Sequence, residues 1–170
     1  VEVAEAWETA LLQSSTPSVL ALSRQGTPTL RQENGHANLT MKGGYVLREA
    51  AGERDITIIA TGTEVALAIE AADQLKEQYA LHAAVVSMPC WELFDKQGDA
   101  YKASVLGKAP RLAIEAAIGF GWERYLGENG AFIGMPGFGE SAPAGALYDH
   151  FNITSEAAVA KAVALIQSKN

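Results

Sequence analysis

Apolar positions along the chain follow two rhythms, and the clearest change from one to the other lies between Asp55 and Tyr79. Ile56 to Thr61 (ITIIAT) is a short run of β-branched and apolar residues, the composition of a parallel strand buried on both faces. Gly62 interrupts it. From there Val65, Ala68, Ile69, Ala72, Leu75 and Tyr79 recur at i, i+3, i+4 and i+7, which places them on one face of a helix. The stretch therefore predicts a strand, a tight glycine turn and a helix. Thr61 or Thr63 stands where a cap is needed, and Glu64 puts a carboxylate in the first turn, where the helix dipole favours it.

The same reading extends to both sides. Residues 1–13 have helical phase (Val3, Trp7, Ala10, Leu11), with a Trp7 for which the chain offers little core. The helix is already in phase at Val1 with no residue to cap it, which reads as a piece of something longer. After a turn around Pro17, Val19–Ser23 (VLALS) predicts a short apolar strand with the polar trio Ser23-Arg24-Gln25 at its C-terminal end. Residues 26–44 show no sustained period and read as a linker. Tyr45–Glu49 predicts a strand that is antiparallel at an edge, because the turn at Gly52 leads straight into the next strand.

Further strands are predicted at Ala83–Met88, stopped by Pro89, at Arg111–Glu115 and at Phe132–Met135. Trp91–Leu106 suggests a covering helix, Trp122–Leu126 and Ala144–Phe151 are short helical pieces, and Thr154 caps a final helix lined by Val159, Ala162, Val163 and Ile166. Strands alternate with helices throughout. The fold class is thus α/β, three layers (αβα), with a mostly parallel five-stranded sheet and one antiparallel edge strand.

Composition narrows the function more than the fold. A net charge of −7 over 170 residues argues against nucleic acid as a partner, since non-specific affinity for a phosphate backbone comes from clustered Lys and Arg. No apolar run approaches the roughly 20 residues that span a bilayer. The single cysteine, Cys90, excludes an internal disulfide framework and fits a reducing, cytoplasmic compartment.

Candidate chemistry is sparse. Gly137-Phe-Gly-Glu-Ser-Ala142 matches G-x-G-x-x-A, but it lacks the opening strand-helix-strand context, and Pro143 withholds a backbone donor where a phosphate cradle would use one. Gly139-Glu-Ser141-Ala-Pro143 has proline where a nucleophile elbow needs glycine. His36, His82 and His150 share no metal-ligand spacing and read as solvated or structural. Cys90 has no evident activating base. Glu115, at the end of an apolar strand, and Glu140, in the glycine turn, are carboxylates in an α/β crevice, where catalytic and hydrogen-bonded structural roles both remain open. Arg24 ends a strand, has no acidic residue within a turn, and carries the planar fork suited to a phosphate monoester.

Six blocks carry a resemblance: ALSRQ (Ala21–Gln25), GGYVL (Gly43–Leu47), IIATGTEV (Ile58–Val65), VVSMP (Val85–Pro89), FDKQ (Phe94–Gln97) and FGESAP (Phe138–Pro143). In this order they resemble the C-terminal part of a transketolase over nearly the whole chain. The resemblance implies a parent enzyme that uses thiamine diphosphate and Mg2+ (or Ca2+) to move a two-carbon ketol unit between sugar phosphates of the pentose phosphate pathway, as a cytoplasmic homodimer. It implies that residues 1–25 are the tail of the pyrimidine-binding middle domain, 26–43 a linker and 44–170 the C-terminal domain. By the same resemblance Arg24 contacts the substrate phosphate, no catalytic, cofactor or metal residue lies within these 170 residues, and the piece alone is inactive, contributing dimer contacts. Gly107 stands where the resemblance leads one to expect proline, and Gly98 loosens the segment after FDKQ. Two other readings remain open: a stand-alone small-anion-binding or regulatory module using the crevice near Gly62 and Gly137, and the C-terminal part of another thiamine-dependent subunit.

Overall fold

A computed structural model of the chain describes residues 1–31 and 37–168. His36, and part of the predicted linker, lie outside the described residues. The elements in order are α1 (Glu2–Leu12), a 3-10 turn (Thr40–Lys42), β1 (Tyr45–Arg48), β2 (Ile56–Ala60), α2 (Glu64–Tyr79), β3 (Ala83–Ser87), α3 (Trp91–Asp95), α4 (Asp99–Leu106), β4 (Arg111–Ile114), α5 (Glu123–Leu126), β5 (Ala131–Ile133), α6 (Ala144–His150) and α7 (Ser155–Gln167).

One sheet organises them, in the order β1-β3-β2-β4-β5. Ile58 of β2 stands beside Val85 of β3 and Leu112 of β4, so β2 has a parallel neighbour on each side. β5 extends the parallel set through Ile114 beside Ile133. The period of two along each strand then builds two cores. Ile56, Ile58 and Ala60, with Val85, Leu112 and Ile114, face α2 and α7. Ile59, Val86 and Ala113 point the other way, onto Phe94, Trp122 and Tyr125 under α3, α4 and α5. This double burial is why the strands read as continuous apolar runs rather than alternating ones.

Three expectations are corrected. β1 is antiparallel and at an edge, but its partner is β3, through Tyr45 beside Ser87, and not the strand that follows the Gly52 turn. Both edges of β2 are already taken by β3 and β4, so β1 cannot pair with it and takes the outer side of β3 instead. Val19–Ser23 is not a strand: no neighbour is available to it among the described residues, and Val19 is 94% and Leu22 58% exposed. The Trp91–Leu106 region is two helices, broken between Asp95 and Asp99. In α1, as the lack of a core for Trp7 led one to expect, the apolar stripe faces outward, with Trp7 52% and Leu11 79% exposed, while Glu5 and Thr9 are the buried positions.

Those two polar residues are buried because they are bonded. Glu5 Oε2 accepts from Thr40 N (3.1 Å), Thr40 Oγ1 (2.8 Å) and Arg31 Nη2 (2.5 Å), and the Thr9 hydroxyl donates to the Glu5 carbonyl. Burial works against the Glu5 charge, but the bonds from Arg31 and Thr40 outweigh it and hold the carboxyl below the usual range. α1 is thereby fixed to the 3-10 turn and, through Glu2 Oε1 accepting from Tyr45 Oη (2.8 Å) and Ser87 Oγ (2.7 Å), to the C-terminal end of the sheet.

Candidate functional site

In an open parallel sheet the functional crevice forms at the C-terminal strand ends, where successive connections leave in opposite directions. Here β2 connects to β3 on one side while the chain returns to β4 on the other, so the crevice opens between β2 and β4. Gly62 turns the chain there with φ +56°, a left-handed conformation that glycine adopts without strain.

The crevice is acidic. Glu64, in the first turn of α2, is 3% exposed, and Glu115 follows the end of β4. Tyr148 of α6 donates its phenolic proton to Glu64 Oε1, and the Thr63 hydroxyl donates to the same oxygen at 2.8 Å. Thr63 thus occupies the cap position of α2 without making a side-chain cap bond. Glu115 Oε2 is buried and has no hydrogen-bond partner among the described residues. Burial, with the negative charge of Glu64 adding to it, pushes the Glu115 carboxyl up to about 8. Burial and the bond to Glu64 push Tyr148 up to about 12. A site of this character favours a proton or a hydrogen-bond donor and opposes an anion, which weighs against phosphate binding near Gly62.

Arg24 lies on a strap that crosses this end of the sheet. Residues 21–30 are all exposed, and residues 14–30 make no hydrogen bond among the described residues. Ser23 Oγ comes within 3.9 Å of where a Cβ on Gly62 would stand. Gln25 reaches a cavity of about 250 Å3 that Ala116, Met135, Tyr148 and Phe151 also line. Arg24, between them, presents a guanidinium to solvent with no carboxylate partner among the described residues.

The other singled-out residues do not converge on it. Phe138 is 100% exposed and Gly137 has nothing near it, so the glycine-rich turn forms no cradle. Glu140 is exposed at the rim of the Gln25 cavity. His82 packs against Gly52 and His150 against Phe151, far apart in sequence and element. Cys90 precedes α3, and burial pushes its thiol up, away from thiolate chemistry. Sequence reasoning missed Tyr148 and Arg31. Neither follows a periodic pattern, and each matters only through a partner distant along the chain, Glu64 and Glu5 respectively.

Comparison with known proteins decides the family. A family model described as "Transketolase-like TK C-terminal domain" matches residues 43–154. The chain belongs to the transketolase family. It is 58% identical over 167 residues to a transketolase of Sinorhizobium medicae and 46% identical to transketolase 1 of Escherichia coli, covering 98% of this chain in both cases. It spans 24% and 25% of those two relatives, about a quarter of their length. Among solved structures, transketolase from Leishmania mexicana aligns with a TM-score of 0.87 at 41% identity, covering 98% of this chain and 24% of that one. A Pichia stipitis transketolase solved in complex with sedoheptulose-7-phosphate aligns equally well, at 36% identity, with the same coverage of both chains. The three-layer fold with one antiparallel edge strand is the one these neighbours share.

Thiamine diphosphate and Mg2+ are the groups a transketolase implies. Among the described residues no three His, Cys, Asp or Glu side chains are grouped as metal ligands. The strand-end crevice meets a diphosphate with Glu64 and Glu115. The described residues do not fit either group. No described helix is long and apolar enough to cross a membrane.

Proposed function

We propose that this chain is the C-terminal portion of a transketolase that transfers a two-carbon ketol unit between sugar phosphates of the pentose phosphate pathway, and that its direct contribution to the reaction is Arg24. In this reading residues 1–25 close the pyrimidine-binding middle domain, 26–43 link and 44–170 form the C-terminal domain. The outward stripe of Trp7 and Leu11, with Val19 and Leu22 exposed on the strap, supports it, because such a surface suits burial against a domain whose core lies elsewhere. The parent enzyme is a cytoplasmic homodimer using thiamine diphosphate and Mg2+, with its cofactor-binding and catalytic groups outside these residues. The piece alone is inactive. A split-gene transketolase, 25% identical over 86% of this chain and covering 49% of that one, is described as an inactive beta4 tetramer, which favours the same outcome here.

The observation that carries the reading is an exposed guanidinium, free of carboxylates among the described residues, at the bend of a strap crossing a strand-end crevice. A planar fork of this kind holds a phosphate with paired, charge-assisted bonds. Holding the remote phosphate uses binding energy to place the sugar carbonyl for reaction. Such a bond contributes about 1.5 to 3 kcal/mol, so Arg24→Ala in the full-length enzyme should lower kcat/KM for a phosphorylated acceptor by about one to two orders of magnitude. The contrast is glycolaldehyde, an acceptor without phosphate. An equal loss on both would remove Arg24 from the phosphate site.

A further inference from the structure

Arg24 itself touches little, so something else must hold it in place. Residues 14–30 make no hydrogen bond among the described residues; Ser23 stands over Gly62, Gln25 lines the cavity with Ala116 and Met135, and Thr27 to Leu30 line a second one with Val1, Glu2 and Val65. Arg31 is where the strap rejoins the body of the protein. Its side chain is 13% exposed, its Nη2 pairs with Glu5 Oε2 at 2.5 Å, and its guanidinium lies 4.8 Å from the centre of the Tyr45 ring. Glu5 belongs to α1, and Tyr45 opens the edge strand β1. One guanidinium therefore ties together the strap, the first helix and the sheet.

The two arginines differ in kind. Arg31 is largely buried, with Nη2 on the Glu5 carboxylate and Nε and Nη1 without a partner among the described residues, whereas Arg24 is exposed and has no carboxylate partner among them. They are seven residues apart on one strap. Between them Thr27 to Leu30 line one cavity with Val1, Glu2 and Val65, so the strap lies along α1 and the start of α2, and a shift at the pinned end moves it toward the free end.

Resting on the assignment of Arg24 to the substrate phosphate, we infer that Arg31 is its positioning residue: the Glu5–Arg31–Tyr45 clasp sets where Arg24 stands. The clasp makes the C-terminal domain, through β1, a determinant of substrate affinity.

The test is a double-mutant cycle in a full-length transketolase carrying these residues, read as KM and kcat for a phosphorylated acceptor and for glycolaldehyde. Arg31→Met should raise KM for the phosphorylated acceptor about tenfold with kcat nearly unchanged, because a guanidinium displaced by about 1 Å loses most of its paired bonds. The same substitution in an Arg24→Ala background should change KM by less than about twofold, the signature of two residues acting as one unit. Arg31→Lys keeps the ion pair with Glu5 and should restore part of the loss. Glu5→Gln weakens the clasp from the other side and should reproduce it, which covers the case in which Arg31→Met fails to fold. If Arg31→Met and Arg24→Ala are additive, or if neither Arg31→Met nor Glu5→Gln moves KM, the positioning role is overturned. If Arg24→Ala leaves the phosphorylated acceptor unaffected, the assignment of Arg24 falls, and the positioning role with it. A rise in KM on Arg31→Met alone would then make Arg31 the phosphate contact.

Discussion

Glu115→Gln isolates the electrostatics of the strand-end crevice. The carboxyl titrates near 4.5 when the chain is unfolded and at about 8 in the folded protein, so the folded state holds its proton more tightly. A raised carboxyl contributes stability that is complete below pH 4.5, falls as pH rises from 4.5 to about 8, and is gone above that. Each pKa unit corresponds to about 1.4 kcal/mol, which over this window gives a ceiling of about 5 kcal/mol. Glu115 keeps part of its side chain in contact with solvent, and screening there reduces the expected loss to about 2 kcal/mol. Glutamine matches the shape and does not titrate. The groups facing the position are Glu64 and Tyr148, and neither is altered by the substitution. Urea unfolding of the 170-residue chain near pH 5 and near pH 9 measures the effect. The variant should gain about 2 kcal/mol on the parent at the higher pH relative to the lower. Any fixed cost of burying the amide appears at both values and cancels. An identical difference at the two pH values would mean that Glu115 ionises normally in the fold, and the account of an acidic crevice would be wrong.

Two further outcomes follow from local geometry. Tyr148→Phe leaves Glu64, 3% exposed, with only the Thr63 hydroxyl, and should lower stability by about 1.5 to 3 kcal/mol in the same unfolding assay, with the largest loss of amide-exchange protection in α6. Gly43→Ala puts a Cβ 2.2 Å from Phe94 N and 2.3 Å from Cys90 O at φ +78°, so it should cost more than about 3 kcal/mol, whereas Gly26→Ala, with open space around it, should be silent by thermal unfolding.

The core was legible because its signals are local. The runs at Ile56–Ala60 and Ala83–Ser87 are apolar without alternation, which marks strands covered on both faces, and the helical spacing of Val65 to Leu75 marks a single buried stripe. Thr154 was readable as a cap for the same reason, and its side chain does accept from Ala157 N. Gly107, in the place of an expected proline, has φ +68°, which proline cannot adopt, so the departure follows a backbone requirement. Pairing was less visible. The chain at Gly52 looks like a hairpin, and only the competition of β3 and β4 for the two edges of β2 sends β1 elsewhere. Val19–Ser23 has strand composition but no partner among the described residues, and composition alone cannot supply one.

The site divides along the same line. The sequence by itself determined the α/β class, the order of the strands along the chain and an arginine unaccompanied by acids, because each depends on residues a few positions apart. Tertiary structure decided that Glu64 and Glu115 share one crevice under Tyr148, and that Arg31 bridges Glu5 and Tyr45. Those pairings span 51, 84 and 26 positions for the carboxylate pair, the Tyr148 bond and the Arg31 pair respectively. Charge repulsion, desolvation and ion pairing depend on distance in space, and no periodicity along a chain encodes that distance before the sheet has formed.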